Sequence, residues 1–473
     1  MNLKNNELGY NNNNGNYDDS VIKESIKEIN SQLEHIAKNI EVSVKDFGAK
    51  GDGETDDTNA IQEAISYANE NGISKIVFDT GVYVVESVNV YSNMYIELCP
   101  DAKIKNSSDT KAVFVCESVA NVIIAGGDIS GIYGAISCNR SENVVIKNVN
   151  IHDIQNAITL NNSNKCFVNN NIIKNITGNV SGSIGVTVNK TNNAIIDGNY
   201  IDTTGQDSIL IYNDSKYCVA SNNICVDWNR ENDMGRAAIQ AYWTTKVNIH
   251  DNTCYGVNHL EFGIGKNETG IRARDCNYIK IDNNYVENCY ATGIESILLS
   301  DSNGLYNQKH VTITNNTVVD VGQYGISSMG TTSTPPEYCI ISNNIVDTVK
   351  WMYTNGAGIG IIAQGDNNII SNNIIRNIGD IGINTTGKTK IMNNIIENVG
   401  MYNGENVGVN RAGIFTKNAG AEILFNTISH TLPIEECKMK KGIIQFGEAS
   451  YAAFGNILNN NLTASYTGTN LIE

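Results

Sequence analysis

Apolar positions along most of this chain come in short alternating runs of Ile and Val that are closed by Asn, Gly and Asp. One phrase recurs: an aliphatic residue, two variable positions, an asparagine, one variable position and another aliphatic residue. Its asparagine falls at Asn171, Asn199, Asn223, Asn252, Asn284, Asn316, Asn344, Asn373, Asn394, Asn426 and Asn460, a period of about 29 residues with intervals between roughly 21 and 34. A second phrase, Gly or Ala followed by an aliphatic residue, recurs beside it, as in Ala157-Ile158, Gly270-Ile271, Gly293-Ile294, Gly325-Ile326, Gly382-Ile383 and Gly413-Ile414. Each unit reads as strand, turn and strand, with no room for an amphipathic helix. The repeat predicts an all-β chain wound as a parallel β-solenoid, in which equivalent residues stack ~4.8 Å apart. One asparagine per coil then forms a column in which each amide bonds the next, satisfying a group whose unpaired burial costs roughly 1–3 kcal/mol. A residue that returns in every coil is expected to be structural, because a catalytic group is needed once.

The N-terminal end departs from this period. Residues 1–20 are polar and rich in asparagine and read as a disordered lead. Over residues 21–41, Ile22, Ile26, Ile29, Leu33, Ile36 and Ile40 follow at steps of 4, 3, 4, 3 and 4, the spacing of a coiled-coil seam. Isoleucine at both core positions favours three strands, so a helical trimerisation stalk is expected; a helix packed on its own subunit is the alternative. The β-solenoid domain is expected over residues 42–473. Near its start, Gly51-Asp52-Gly53 predicts a turn, and Asp56, Asp57 or Thr58 predicts the cap of a helix that runs to about Asn71 and closes at Gly72. Ala60, Ile61, Ala64, Ile65 and Ala68 give that helix one apolar face, suited to plugging the open end of a solenoid.

The stretch Val42-Ser43-Val44-Lys45-Asp46-Phe47-Gly48-Ala49-Lys50-Gly51-Asp52-Gly53-Glu54-Thr55-Asp56-Asp57-Thr58, continuing to Ile65, closely resembles the N-terminal signature of the pectate-lyase-like superfamily of right-handed parallel β-helices. That superfamily includes polygalacturonases, polysaccharide lyases, epimerases and many bacteriophage tailspikes. Residues 76–83 resemble its usual continuation, a short strand and a tight turn, with Asp79-Thr80 in place of proline. The resemblance implies a right-handed parallel β-helix for residues 42–473 and leaves the chemistry open. Polygalacturonases carry Asn-x-Asp, Asp-Asp, His-Gly and Arg-x-Lys motifs. Here no His-Gly occurs, Gln206-Asp207 stands where the central Asp-Asp would, and Arg272-Ala273-Arg274 is a remote echo, so ordinary pectin hydrolysis is not implied.

Composition narrows the partners. With 473 residues and a 41% hydrophobic fraction, the chain can build one long solenoid core without a second globular domain. Asparagine makes up about 15% of residues and proline only four positions, as expected where turns are built from Asn and Gly. A net charge of -17 with no Lys/Arg-rich run argues against nucleic acid and against an anionic membrane. The eleven cysteines include no C-x-x-C pair, and several sit in aliphatic runs, as Cys218 and Cys225 do; they read as core residues, with no disulfide framework and no zinc site. Residues 1–17 lack the apolar centre of a secretion signal, and no apolar run is long enough for a membrane span. The expected location is therefore a virion tail if the chain is phage-encoded, and otherwise outside the cell by a non-classical route. The sequence requires no cofactor and leaves open whether Ca2+ is used.

Alternation sorts the outward positions into columns. The residue after each Ile reads Ser137, Thr159, Thr187, Leu210, Gln240, Arg272, Glu295, Ser327, Gly360 and Asn384. Two positions on, the column reads Asn161, Asn189, Tyr212, Tyr242, Arg274 and Ile297; four positions before the first column stand Gln206, Arg236, Glu268, Ala291 and Gln323. Functional-type side chains coincide between about residues 206 and 297. The longest inserts fall there too: residues 226–236 with Trp228, Arg230, Glu231 and Asp233, residues 257–269 with His259, Glu261 and Glu268, and residues 300–310. Such loops would wall a groove over the charged columns. The expected catalytic residues are Glu295, Arg272, Glu268, Asp233 and Asp207, and the expected substrate-binding residues are Arg236, Gln240, Tyr242, Arg274, Tyr212, Trp228 and Trp243. The competing explanation is that Arg236/Glu268 and Arg272/Glu295 are stacked surface ion pairs that keep a solenoid in solution.

A sugar polymer suits such a groove, since aromatic faces stack on pyranose rings and arginine forks hold carboxylates or phosphates. Glu268 and Glu295 are one coil and four residues apart, about 14 Å, too far for the paired carboxyls of a hydrolase. A hydrolase would need Asp207, Asp233, Glu261 or a neighbouring subunit to complete the pair, whereas a lyase could use Arg272 or Arg274 beside a sugar α-proton. The expected function is a phage or prophage tailspike-like depolymerase, a glycosidase or lyase of a bacterial surface polysaccharide. It would be a homotrimer, with virion baseplate or tail proteins as further partners. The alternatives are a carbohydrate lyase, hydrolase or epimerase unrelated to virions, and a non-catalytic glycan-binding adhesin.

Overall fold

The isoleucine of the Gly/Ala-Ile phrase points inward and stacks on itself. In register, Ile209 faces Ile239, then Ile271, Ile294, Ile326, Ile361, Ile383, Ile414 and Ile443, every one fully buried. A computed structural model of the protein describes residues 24, 27, 41–178, 182–230, 236–257, 269–299, 308–330, 335–350, 358–401, 411–417, 420–432, 439, 441–446, 452–459 and 462–466. The disordered lead and the coiled-coil seam from Ile22 to Ile40 lie outside the described residues. The chain divides into two compact units, one made of Met1–Ile176 with Val186–Tyr200 and the other of Thr177–Gly185 with Ile201–Glu473.

Both units are built as the repeat requires, from parallel strands one coil apart. In the first unit, Phe114 pairs with Ile136, Ile136 with Ile158 and Ile158 with Val186 on one sheet, while Val145 pairs with Phe167 and Phe167 with Ile195 on another. The second unit continues this plan through the isoleucine column. This is the parallel β-helix. The glycine of the phrase is a packing requirement: a Cβ on Gly293 would come within 2.3 Å of Val318 Cγ1, so only a bare α-carbon fits between the two walls.

The asparagine column is present and structural. In the second unit Asn223, Asn252, Asn284, Asn316, Asn344, Asn373, Asn394 and Asn426 each donate a side-chain N–H to the next side-chain oxygen of the column at 2.9–3.0 Å, Asn426 to Asn456. The same oxygen also accepts the preceding asparagine's main-chain N–H, as Asn316 Oδ1 does from Asn284 at 2.9 Å. Asn171 and Asn199 repeat the arrangement in the first unit. The rung after Asn426 is Asn456, while Asn460 lies outside the described residues; the phrase is disguised at Asn456 because the residue three positions earlier is the small Ala453, paired with Ile423.

A second ladder runs at another corner. Val119 donates its N–H to Ser141 Oγ, Ser141 to Ser163 Oγ, and Ser163 to Thr191 Oγ1 in the first unit, and Cys276 to Gln308 Oε1 and Cys339 to Asn368 Oδ1 in the second. The sequence hides it because the residue type changes from coil to coil. The ten described cysteines are free thiols, all buried except the half-buried Cys99.

The cap helix covers Thr58–Glu70 and buries Ile61, Ala64, Ile65 and Ala68, the expected face. Its entry differs from expectation in one detail. Asp57 is buried and turns its carboxylate back to the N–H groups of Lys50 (2.6 Å) and Gly51 (3.1 Å), so it closes the preceding turn, while Asp56 Oδ1 takes the Thr58 N–H at 3.0 Å.

Candidate functional site

The second unit carries the expected charged columns on the outer face of strands Ile209–Tyr212, Ala237–Tyr242, Thr269–Arg274, Thr292–Ile297 and Tyr324–Met329. Register sets Leu210, Gln240, Arg272, Glu295 and Ser327 side by side, and beside them Tyr212, Tyr242, Arg274 and Ile297. One position is corrected. The column continues from Ser327 to Ile362 and Asn384, not through Gly360, because Gly360 occupies the tight inner corner where a Cβ would lie 2.5 Å from Ile375 Cγ2.

Arg272 Nε lies 2.5 Å from Glu295 Oε2, and a second guanidinium nitrogen donates to Thr269 Oγ1 at 3.0 Å. The two residues are only 7% and 6% exposed, so they are not the solvated surface pair that solubility would call for. Gln240, the neighbour of Arg272 on the other side, is 2% exposed, and its Oε1 has no hydrogen-bond partner among the described residues. Tyr324 is half-buried, and its phenol is pushed up by burial and by the nearby charge of Glu295. The sequence does not single out Thr269 and Tyr324; register places both in a column with Ala237 and Thr292, three residues before the charged one.

Asp207 and Arg236 form the next pair. Asp207 Oδ1 accepts the Ala237 N–H at 2.8 Å, and Oδ2 faces Arg236 Nη1 at 3.2 Å. Burial pushes the Asp207 carboxyl up, against the pull of Arg236, of the Ala237 N–H and of the more distant Arg272. Fully buried, Asp207 does not present a catalytic oxygen to substrate; it anchors Arg236, which is one-quarter exposed. The coils that carry Asp207 and Glu295 stand three apart, about 14 Å along the stack, and their carboxylates turn towards the coils between them, to Ala237 and Arg236 and to Arg272.

Around this pair the more open side chains suit ligand contact. Tyr242 stacks on Trp243 at 4.2 Å between ring centroids, and the Arg274 guanidinium lies 4.5 Å over the other partner, the Tyr242 ring. Burial pushes the Tyr212 and Tyr242 phenols up, and Arg274 partly offsets this at Tyr242. Trp228 is the exception: it is fully buried, so its faces are core surface and not a sugar platform. Asp233, Glu268, Glu231, Glu261 and His259 lie outside the described residues. Among the described residues no group of three or more His, Cys, Asp or Glu side chains could hold a metal ion.

A parallel β-helix with buried charges on one outer sheet face is the class that the fold and site define. Residues 41–295, just over half of the chain, match the rhamnogalacturonase A/epimerase, pectate lyase-like family, and the protein belongs to it. Local similarity links it to alginate lyase 7 of Azotobacter vinelandii, 45% identical over 65 residues that make up 12% of this chain and 8% of that protein. It is also similar to plasmin and fibronectin-binding protein A of Streptococcus pneumoniae, 39% identical over 102 residues, 21% of this chain and 13% of that one. This chain thus spans only a small part of those relatives. The crystal structure of PfbA, a surface adhesin of Streptococcus pneumoniae, superposes with a TM-score of 0.56 at 19% identity, covering 76% of this chain and 91% of that one, and shares the fold.

Proposed function

We propose that this protein binds a bacterial surface polysaccharide through the outer face at residues 207–297 and cleaves it, in the manner of a phage or prophage tailspike. The supporting observation is the burial of the Arg272–Glu295 pair on an outward-facing column. A solenoid gains little from such a pair, since desolvating two charges costs about what their attraction returns. Its retention there suits a role in chemistry or recognition. Glu295 is the proton acceptor in this reading. Arg272 orients it and offers a cation to a developing negative charge; a guanidinium stays charged across the physiological range and is a poor base. Arg236, Arg274, Tyr212, Tyr242 and Trp243 hold the glycan, and Asp207 positions Arg236. The full burial of Asp207, which leaves it no oxygen for substrate, favours elimination over paired-carboxyl hydrolysis. Assembly as a homotrimer through residues 21–41, on a virion tail, belongs to the same proposal.

The same burial supports a second reading, binding without cleavage, because the more exposed side chains, Arg236, Tyr242 and Arg274, are of the contact type. Incubation with a panel of purified bacterial surface polysaccharides, following reducing ends and the absorbance of unsaturated uronates, separates the two. New reducing ends with unsaturated products support elimination; retention of polymer on the protein with no products supports the adhesin.

A further inference from the structure

We propose that Gln240 and Ser327 are specificity-determining residues of the outer face, marking the two ends of a polar row and hydrogen-bonding the glycan there. The inference rests on the reading of that face as a polysaccharide site. Register sets Gln240, Arg272, Glu295 and Ser327 side by side on four successive coils. The next residue at each end is apolar and buried, Leu210 before Gln240 and Ile362 after Ser327. The polar row therefore spans three coil steps, about 14 Å, and runs parallel to the axis of the stack. A chain of sugars bound along it crosses the coils and does not follow one strand.

Both ends of the row are unengaged. Gln240 Oε1 has no hydrogen-bond partner among the described residues, and neither has Ser327 Oγ, although both side chains are buried. An unpaired buried acceptor destabilises a folded chain, and the scaffold avoids one at the fully buried Gln308. There Oε1 accepts the Cys276 N–H at 2.7 Å, and Nε2 donates to the Ala273 carbonyl at 3.0 Å and to Ser296 Oγ at 2.8 Å. Gln240 closes no such corner. Between the two ends, Arg272 bonds only one oxygen of Glu295, Oε2; Oε1 accepts no hydrogen bond from the described residues. The row thus carries acceptor capacity that the fold itself does not use.

The chemistry of the ends defines what they read. An amide oxygen only accepts, so the glycan must bring an O–H or N–H to Gln240; a hydroxyl gives and takes, so Ser327 fits a hydroxyl or a carbonyl oxygen of the glycan. The substrate class is therefore a polysaccharide whose unit at Gln240 keeps a free hydroxyl or an amide hydrogen. An O-acetylated unit offers no hydrogen at that point and leaves Gln240 unpaired. A site built to bond a donor rejects an analogue without one far more strongly than an apolar pocket rejects a missing methylene.

The test measures binding by the full-length protein in the Glu295→Gln background, which keeps the polymer intact. The probes are the purified surface polysaccharides of the panel, each native and after O-acetylation with acetic anhydride. Gln240→Met and Ser327→Ala are each expected to weaken binding of the native polymer about tenfold. Acetylation is expected to weaken binding about tenfold or more where Gln240 is present, and much less in Gln240→Met. Because neither atom is bonded within the fold, the melting temperatures of both variants are expected to match or exceed that of the Glu295→Gln protein; a scaffold role would lower them. Unchanged affinity in both variants, with or without a lower melting temperature, overturns the proposal and leaves the polysaccharide site standing. Equal losses on acetylation with and without Gln240 also overturn it. Failure of every native polymer to bind the parent protein overturns both the proposal and the reading beneath it.

Discussion

Arg272 and Glu295 stand on adjacent coils with Nε and Oε2 2.5 Å apart, and both are nearly closed to solvent. Removing one partner leaves an uncompensated buried charge, which costs about 3–5 kcal/mol, whereas replacing both by apolar residues of similar size is close to neutral. Arg272→Ala is therefore expected to lower the melting temperature, and Arg272→Met combined with Glu295→Leu to restore it without restoring activity. Thermal unfolding of the two variants checks this; equal melting temperatures for the single and double variants would mean that the charges are solvated after all.

Asn284 makes four bonds within the ladder, two of them with Asn316, and its own side chain takes part in three of the four. Asn284→Leu is expected to destabilise the protein by roughly 1–3 kcal/mol and to leave the activity of the folded fraction near that of the parent. Chemical denaturation with a parallel activity assay measures both. Full stability with abolished activity would move the column from scaffold to site.

Asp380 is 3% exposed and faces Arg411 at 3.9 Å, beyond hydrogen-bond reach, and burial pushes its carboxyl up to about 6. In the unfolded chain it titrates near 3.8. Between these values the native state holds the proton more tightly, so the stability this group contributes is full below about pH 4 and is lost as pH rises through about 6. Asp380→Asn should remove that loss. Melting temperatures of parent and variant at pH 4 to 7 are expected to cross over, the variant gaining relative to the parent as pH rises; a constant difference would contradict the shift.

The seam from Ile22 to Ile40 predicts a homotrimer that dissociates when residues 1–41 are deleted. Light scattering at micromolar concentration decides it, and a monomeric full-length chain would rule out the stalk.

Much of this arrangement was legible in the chain because a β-helix translates spacing directly into neighbours. The adjacency of Gln240, Arg272 and Glu295 followed from counting two residues per side-chain alternation and one coil per phrase. Counting failed where two phrases run together: Gly358-Ile359-Gly360-Ile361 offers two registers, and only the clearance at Gly360 selects Ile361 as the partner of Ile326. Burial was not legible at all. Asp207, Trp228 and Arg272 look alike in a sequence whether or not chain covers them, and their 0, 0 and 7% exposure separates an anchor and a core ring from a candidate site. The second ladder escaped notice because hydrogen bonding at a corner asks for an acceptor oxygen and not for one residue type.

The most direct test of the outer face as a cleaving site is the rate of oligosaccharide release from whichever surface polysaccharide the parent protein degrades. It compares Glu295→Gln and Arg274→Ala with Asn384→Ala, the last on the same column but three coils away from Glu295. Rates are taken on folded protein, with binding of the polymer followed in parallel. The expected result is a loss of about 100-fold or more for Glu295→Gln with polymer binding retained, weaker binding for Arg274→Ala, and no change for Asn384→Ala. A Glu295→Gln variant that releases oligosaccharides at the parental rate would contradict the account.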